Sequence, residues 1–128
     1  MTGDLHNQLS GRRILVVEDE RLIALDIQDI LKRWGCTVVG PVATATEALA
    51  LIADECPDLA ILDVHLDGET SEPIAVALQA SGRPFLVMTA YPRSHVPGAL
   101  SVAPLLSKPV DEKKLAQELS TLVADARS

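Results

Sequence analysis

The sequence predicts a doubly wound α/β fold, on three observations. Short continuous apolar runs recur along the chain, segments with apolar residues at helical spacing alternate with them, and the runs carry no polar face. Strands without a polar face belong to a parallel sheet covered by helices on both sides and linked by right-handed crossovers. From the length of 128 residues the expectation is one domain with a substantial core and no separate second domain.

After a polar opening expected to be a flexible tail over residues 1–11, Ile14-Leu15-Val16-Val17 is the first buried strand and ends in acid. Over residues 20–34, Ile23, Ile27, Ile30 and Trp34 recur at helical spacing, and Gly35 suits the position after a helix end. Thr37-Val38-Val39 reads as the second strand, stopped by Gly40-Pro41. Thr44-Ala45-Thr46-Glu47 has capping-box spacing in front of a second helix that runs to about Glu55. Residues 59–62 repeat the buried-strand pattern and lead into Asp63. Pro73 suits the first turn of a third helix closing at Gly82, and the fourth strand contains Phe85-Leu86-Val87-Met88 and ends at Thr89. Residues 91–104, interrupted by Pro92, Pro97, Gly98 and Pro104, predict a loosely anchored connection with at most one short helix. Leu105-Leu106 is the core of a fifth strand, and Asp111 caps a last helix with Leu115, Leu119 and Leu122 on one stripe.

A net charge of −7 with scattered basic residues opposes nucleic acid or an anionic membrane as partner, because phosphate binding is driven by clustered Lys and Arg. Cys36 and Cys56 form no CxxC or His-rich pattern and read as reduced thiols in or near the core. The opening lacks an apolar signal segment and no run approaches a membrane span, so the expectation is a cytoplasmic protein.

In open α/β sheets ligands bind beyond the carboxyl ends of the strands. The first strand ends in Glu18-Asp19, the third in Asp63, the fourth in Thr89 and the fifth in Ser107-Lys108, so three carboxylates, a hydroxyl and an ammonium should converge on one rim. Taken singly, the acidic pair suits a solvated helix start, Thr89 a strand-end hydroxyl and Lys108 a surface charge. Their joint placement at different strand ends is what favours a site. Neighbouring carboxylates favour a hard divalent cation, magnesium rather than a full calcium cage. With a lysine and a hydroxyl to neutralise the equatorial oxygens, the set suffices for in-line phosphoryl transfer to an aspartate.

The motifs Ile14-Leu15-Val16-Val17-Glu18-Asp19-Glu20, Ile61-Leu62-Asp63-Val64-His65-Leu66, Met88-Thr89-Ala90 and Leu106-Ser107-Lys108-Pro109 resemble, as a set, the response regulator receiver domains of two-component signalling. The resemblance runs from Ile14 to about Val123. It implies a flavodoxin-like sheet of strand order 2-1-3-4-5 and one receiver domain over residues 12–126. It further implies that Asp63 is the phosphoacceptor and that Mg2+ is held by Glu18, Asp19, Asp63 and the His65 main-chain carbonyl. Thr89 would hold a phosphoryl oxygen, and Lys108, whose bond to Pro109 is typically cis, would pair with the phosphoryl group. The implied partners are a histidine kinase or histidine phosphotransfer protein on one side and a downstream target protein on the other, with the domain a monomer or weak dimer.

Two departures stand out. The loop Val64-His65-Leu66-Asp67-Gly68-Glu69 lacks the proline most receivers carry there, and Leu105 stands where many have a Tyr or Phe that swings inward on activation. The run Phe85-Leu86-Val87-Met88-Thr89-Ala90-Tyr91 resembles instead the FATGUY subgroup of stand-alone receivers. That subgroup has an aromatic two residues after the threonine and a degenerate fourth helix, and is associated with stress and sensory kinase networks. The expected switch residues are therefore Thr89 and Tyr91, with Leu105 unable to play the usual part. Two other functions compete: a pseudo-receiver adaptor, against which Glu18, Asp19, Asp63, Thr89 and Lys108 argue, and a haloacid dehalogenase-type phosphatase. Such a phosphatase opens with its nucleophile in a DxD pair, whereas here Asp63-Val64-His65 follows an earlier acidic pair. The chain is accordingly expected to be a phosphoacceptor, with self-catalysed phosphorylation and dephosphorylation at most, rather than an enzyme.

Overall fold

The computed structural model describes residues 9–90, 96 and 98–127, with side chains to residue 124. Strands β1 (Arg13–Val17), β2 (Thr37–Val42), β3 (Leu59–Asp63), β6 (Phe85–Thr89) and β7 (Leu105–Ser107) form one sheet in the order β2-β1-β3-β6-β7, all pairs parallel. Counted within this sheet, that is the expected 2-1-3-4-5 order. Between β3 and β6 lies a small antiparallel hairpin, β4 (His65–Leu66) and β5 (Glu69–Thr70). The described helices are α1 (Arg21–Arg33), α2 (Ala45–Glu55), α3 (Glu72–Ala80) and α4 (Glu112–Arg127).

Alternation along each strand divides the interior into two cores. Ile14, Val16, Ile61, Leu86 and Met88 face one side, where Ile27 and Leu31 of α1 and Leu115 and Leu119 of α4 cover them. Leu15, Val17, Ala60, Leu62, Phe85 and Val87 face the other, beneath Ala48 of α2 and Ile74 and Leu78 of α3. Strands that bury both faces have no place for a polar residue, which is why each run reads as unbroken hydrophobicity. The helix ends follow local chemistry. The Thr44 hydroxyl accepts from the Glu47 amide (3.2 Å) and donates to its carboxylate (3.0 Å), and Asp111 Oδ1 accepts from the amides of Lys113 (2.8 Å) and Lys114 (3.3 Å).

Four expectations need correction. First, the end of the expected tail is tied down: Leu9 is fully buried in the α1/α4 core, its carbonyl accepts from the Arg12 amide, and Gly11 donates to Gly35. Second, β2 does not stop at Gly40-Pro41 but continues through a register irregularity to Val42, which pairs with Val17. Being at the edge of the sheet, this strand tolerates a residue without an N–H. Gly40 has φ +94, and a Cβ there would meet Val42 N at 2.9 Å. Third, the described part of the connection to β7 is anchored, with Leu100 buried in the α2/α3 core and Ala99 N donating to Glu72 Oε2 (3.3 Å). Residues 98–100 form a turn, and Tyr91, Pro92 and Pro97 lie outside the described residues. Fourth, the cysteines differ: Cys36 is buried, with its thiol donating to the Leu9 carbonyl (3.4 Å), whereas Cys56 is exposed after α2.

Burial pushes the Cys36 thiol up to about 11. Because the folded state holds the proton more tightly, its contribution to stability is complete below the ordinary thiol range and is lost as pH rises towards 11. Iodoacetamide at pH 8 should therefore label Cys56 quickly and Cys36 at least about a hundredfold more slowly in the native protein. Equal rates would mean that the packing of Leu9 over Cys36 does not hold in solution.

Candidate active site

The strand order reverses between β1 and β3: β1 leads outward to β2, whereas β3 leads to β6 and β7. At such a point the connections leave in opposite directions and open a crevice at the carboxyl ends. Glu18 and Asp19 follow β1, Asp63 ends β3, Thr89 ends β6, and Ser107-Lys108 closes β7. Register keeps them level: Asp63 pairs with Met88, Thr89 pairs with Ser107, and the Lys108 amide donates to the Thr89 carbonyl (3.0 Å). The Lys108–Pro109 peptide is cis, as the resemblance implied.

Asp19, Glu20, Asp63, His65, Leu66, Ala90 and Lys108 line a cleft of about 220 Å3. Lys108 is its electrostatic centre. Its Nζ lies 2.9 Å from Asp63 Oδ2, 2.9 Å from Glu18 Oε1 and 4.0 Å from Glu20 Oε1. Glu18 and Asp63 are buried, Asp19 half-buried, Thr89 buried, and the His65 side chain exposed. Burial first, and then the neighbouring Asp63, raise the Glu18 carboxyl to about 7 against the opposing pull of Lys108 and the Glu20 amide. For Lys108 burial acts downward, but the attraction of the Glu18 and Asp63 carboxylates outweighs it and the net shift is upward.

Glu18, Asp19 and Asp63 each offer an oxygen, and these lie within 4.8 Å of one another. Buried Glu18 Oε1 stands at ion-pair distance from Lys108 yet makes no aligned hydrogen bond, so it keeps acceptor capacity. An all-oxygen, anionic donor set with an under-satisfied buried oxygen fits a hard divalent cation such as magnesium.

The structure thus brings together Glu18, Asp19, Asp63, Thr89 and Lys108, and sets His65 on the cleft wall. It leaves Leu105 half-buried against the α2/α3 core, away from this cleft's lining. Tyr91 lies outside the described residues. Sequence reasoning missed Glu20 as a wall of the cleft and missed the hairpin after Asp63. The signal for the hairpin was present: Asp67-Gly68 is a favoured two-residue hairpin loop, and Gly68 takes φ +74.

Comparison with known proteins follows the same line. A family model described as the response regulator receiver domain matches residues 14–120. The transcriptional regulatory protein PdtaR of Mycobacterium tuberculosis is 37% identical over 82 residues, covering 62% of this chain and 40% of PdtaR. The phyllosphere-induced regulator PhyR of Methylorubrum extorquens is 31% identical over 111 residues, covering 84% of this chain and 42% of PhyR. The chain therefore spans less than half the length of these curated relatives. Among solved structures, SdrG from Sphingomonas melonis Fr1 is similar with a TM-score of 0.78 at 40% identity, over 91% of this chain and 98% of that one. SdrG has also been solved in a BeF3-activated conformation, at a TM-score of 0.76 and 38% identity over 89% of this chain and 98% of that one.

Proposed function

Because the chain belongs to the response regulator receiver domain family of two-component signalling, we propose that it is a phosphorylation switch. In this reading Asp63 accepts a phosphoryl group in a magnesium-dependent reaction, and the modified domain signals through protein contacts. The observation that carries the proposal is the convergence of Lys108 Nζ on Asp63 at 2.9 Å, with Glu18 and Asp19 alongside so that the three carboxylates can share a cation. The BeF3-activated conformation of the similar SdrG supports it.

The donor is a histidine kinase or a histidine phosphotransfer protein. An Asp63 carboxylate oxygen attacks phosphorus, the P–N bond to the donor imidazole breaks, and its electron pair stays on that nitrogen, which takes up a proton. Lys108 neutralises a phosphoryl oxygen, and the Thr89 hydroxyl donates to another. Magnesium, when held by Glu18, Asp19, Asp63 and the His65 carbonyl, supplies the remaining charge neutralisation. Asp63 is consumed once per event, so the domain is a phosphoacceptor rather than a turnover enzyme. The charge of −7 fits a protein target in the cytoplasm rather than nucleic acid, and no described helix is long and apolar enough to cross a membrane. Similarity to PhyR, of which one solved structure is described as a stress response regulator, fits a role in a stress response. The domain is read as a monomer or weak dimer.

Magnesium tenfold above its dissociation constant should raise the melting temperature by about 3–6 °C, because it binds only the folded site. Thermal melts of Asp19→Asn should show a much smaller shift; an undiminished one would remove Asp19 from the metal site.

The test of the function is uptake of label from acetyl phosphate. One phosphoryl group per chain is expected, dependent on magnesium, with no turnover of p-nitrophenyl phosphate. No uptake would leave an adaptor, and sustained turnover would leave a phosphatase. Leu22 and Leu25 of α1 are exposed, and Leu25 shares a cleft with Glu18 and Asp19, which suits an apolar contact with the donor protein. Leu22→Asp/Leu25→Asp should keep uptake from acetyl phosphate within about twofold and lower transfer from the cognate kinase by about tenfold or more. Equal loss from both donors would show damage to the site itself.

A further inference from the structure

The chain between Asp63 and α3 must hold the His65 carbonyl still if that oxygen is to serve a cation, and little in the loop itself can do so. At its base Val64 is pinned: its amide donates to Met88 (3.0 Å), and its carbonyl accepts from the Ser71 amide (2.9 Å) and hydroxyl (3.4 Å). Beyond that the chain forms a hairpin of two residues per strand, His65 opposite Thr70 and Leu66 opposite Glu69, turning at Asp67-Gly68. A ladder this short is marginal by itself. Among the side chains that fix it to the rest of the molecule are Leu66, buried in the α2/α3 core, and Glu69, whose Oε2 accepts from the Ala45 amide at 3.2 Å.

Ala45 is the first residue of α2, whose cap is already divided: Thr44 takes the Glu47 amide and leaves the Ala45 amide to Glu69, 24 residues away in sequence. A carboxylate at a helix N-terminus is held by both an open donor and the dipole. Glu69 lies directly across the hairpin from Leu66, the neighbour of His65. The bond therefore fixes the strand that fixes the ligand-bearing strand.

We propose that Glu69 is a positioning residue for the metal site: by anchoring the hairpin to the N-terminus of α2 it holds the His65 carbonyl in place and so sets the affinity for a divalent cation. This deepens, and rests on, the magnesium site proposed above. Magnesium demands near-ideal octahedral geometry, so a neutral backbone ligand contributes only as well as its backbone is fixed.

Three variants separate positioning from charge. Glu69→Ala removes the acceptor; Glu69→Gln keeps an acceptor oxygen but removes the charge. Ala45→Pro removes the donor at a position where proline is accommodated, and Thr44 is already extended at φ −128, ψ 157, as a residue before proline must be. In calorimetric Mg2+ titrations, Glu69→Ala and Ala45→Pro should each raise the dissociation constant about three- to tenfold, at or below the lower end of the roughly 10–100-fold range for direct partners of metal ligands, because Glu69 acts on the His65 carbonyl at one remove. Glu69→Gln should stay within about twofold of wild type, and the Glu69→Ala/Ala45→Pro pair should be no weaker than the worse single variant, as expected for one shared interaction. Melts in EDTA verify folding; if Ala45→Pro fails to fold, the Glu69→Ala and Glu69→Gln contrast decides. Wild-type affinity in Glu69→Ala would overturn the proposal, as would equal weakening in Glu69→Ala and Glu69→Gln, which would mark a long-range charge effect. Absence of Mg2+ binding in wild type would instead overturn the magnesium site and this inference with it.

Discussion

Asp63→Asn is expected to reduce phosphoryl uptake by more than about a hundredfold, from acetyl phosphate and from kinase alike, because it removes the nucleophile itself. The substitution is close to isosteric. The amide oxygen can still accept from Lys108, which now lies 2.9 Å from Asp63 Oδ2, so the surrounding packing has no reason to change. It also removes a buried negative charge from beside Glu18, so the variant should melt at or above the wild-type temperature without magnesium and respond little when magnesium is added. Loss of uptake with an intact fold is the signature of a lost acceptor. Label retained on the variant near the wild-type level, with peptide mapping to Asp19 or Glu20, would reassign the acceptor within the same cleft.

The second large effect concerns stability. In Lys108→Met the ammonium that stands 2.9 Å from both Glu18 and Asp63 is gone, and two buried carboxylates face each other without a counter-ion. Breaking a buried ion pair by removing one partner costs about 3–5 kcal/mol, and protonation of one carboxylate moderates this to about 2–4 kcal/mol here. Glu18 is the acid that takes the proton, since burial and Asp63 already bring it to about 7 with the lysine present. A carboxyl raised in the folded state contributes its stability fully below its ordinary range and loses it as pH climbs through the folded value. The deficit of Lys108→Met should therefore be small near pH 5 and large at pH 8, and magnesium should recover more of it than it adds to wild type. Denaturant melts at the two pH values in EDTA measure this; a deficit under about 0.5 kcal/mol at pH 8, the range of an ordinary surface change, would mean that Lys108 does not neutralise the pair.

The legibility of this protein in its sequence follows element length. Strands of five residues buried on both faces leave an unmistakable record, as in Ile14-Leu15-Val16-Val17, and the strand ends so read placed Glu18, Asp19, Asp63, Thr89 and Lys108 along one rim without reference to contacts. The hairpin escaped because two-residue strands are too short to show period two, although the Asp67-Gly68 turn announced it. Leu9 escaped for a related reason: one buried side chain in a polar stretch has no periodicity to betray it. The passage of β2 beyond Gly40-Pro41 depends on the strand lying at the sheet edge, a fact of topology and not of local pattern. Equally, that Lys108 reaches Glu18 as closely as Asp63 is set by three-dimensional register.

The two borders of the sheet have a bearing on how the protein behaves when concentrated. On one side β2 is broken by the irregular pairing between Leu15 and Val17, by Gly40 at φ +94 and by Pro41, which has no N–H to offer. On the other, β7 is three residues long. A foreign strand seeking to extend the sheet needs a run of free donors and acceptors in even spacing, and neither border supplies more than a few in sequence. The apolar strands within are of the kind that would stack readily into fibrils if exposed. Resistance to that fate is thus built into the backbone at the margins and does not depend on the surface charge that pH and salt can erase.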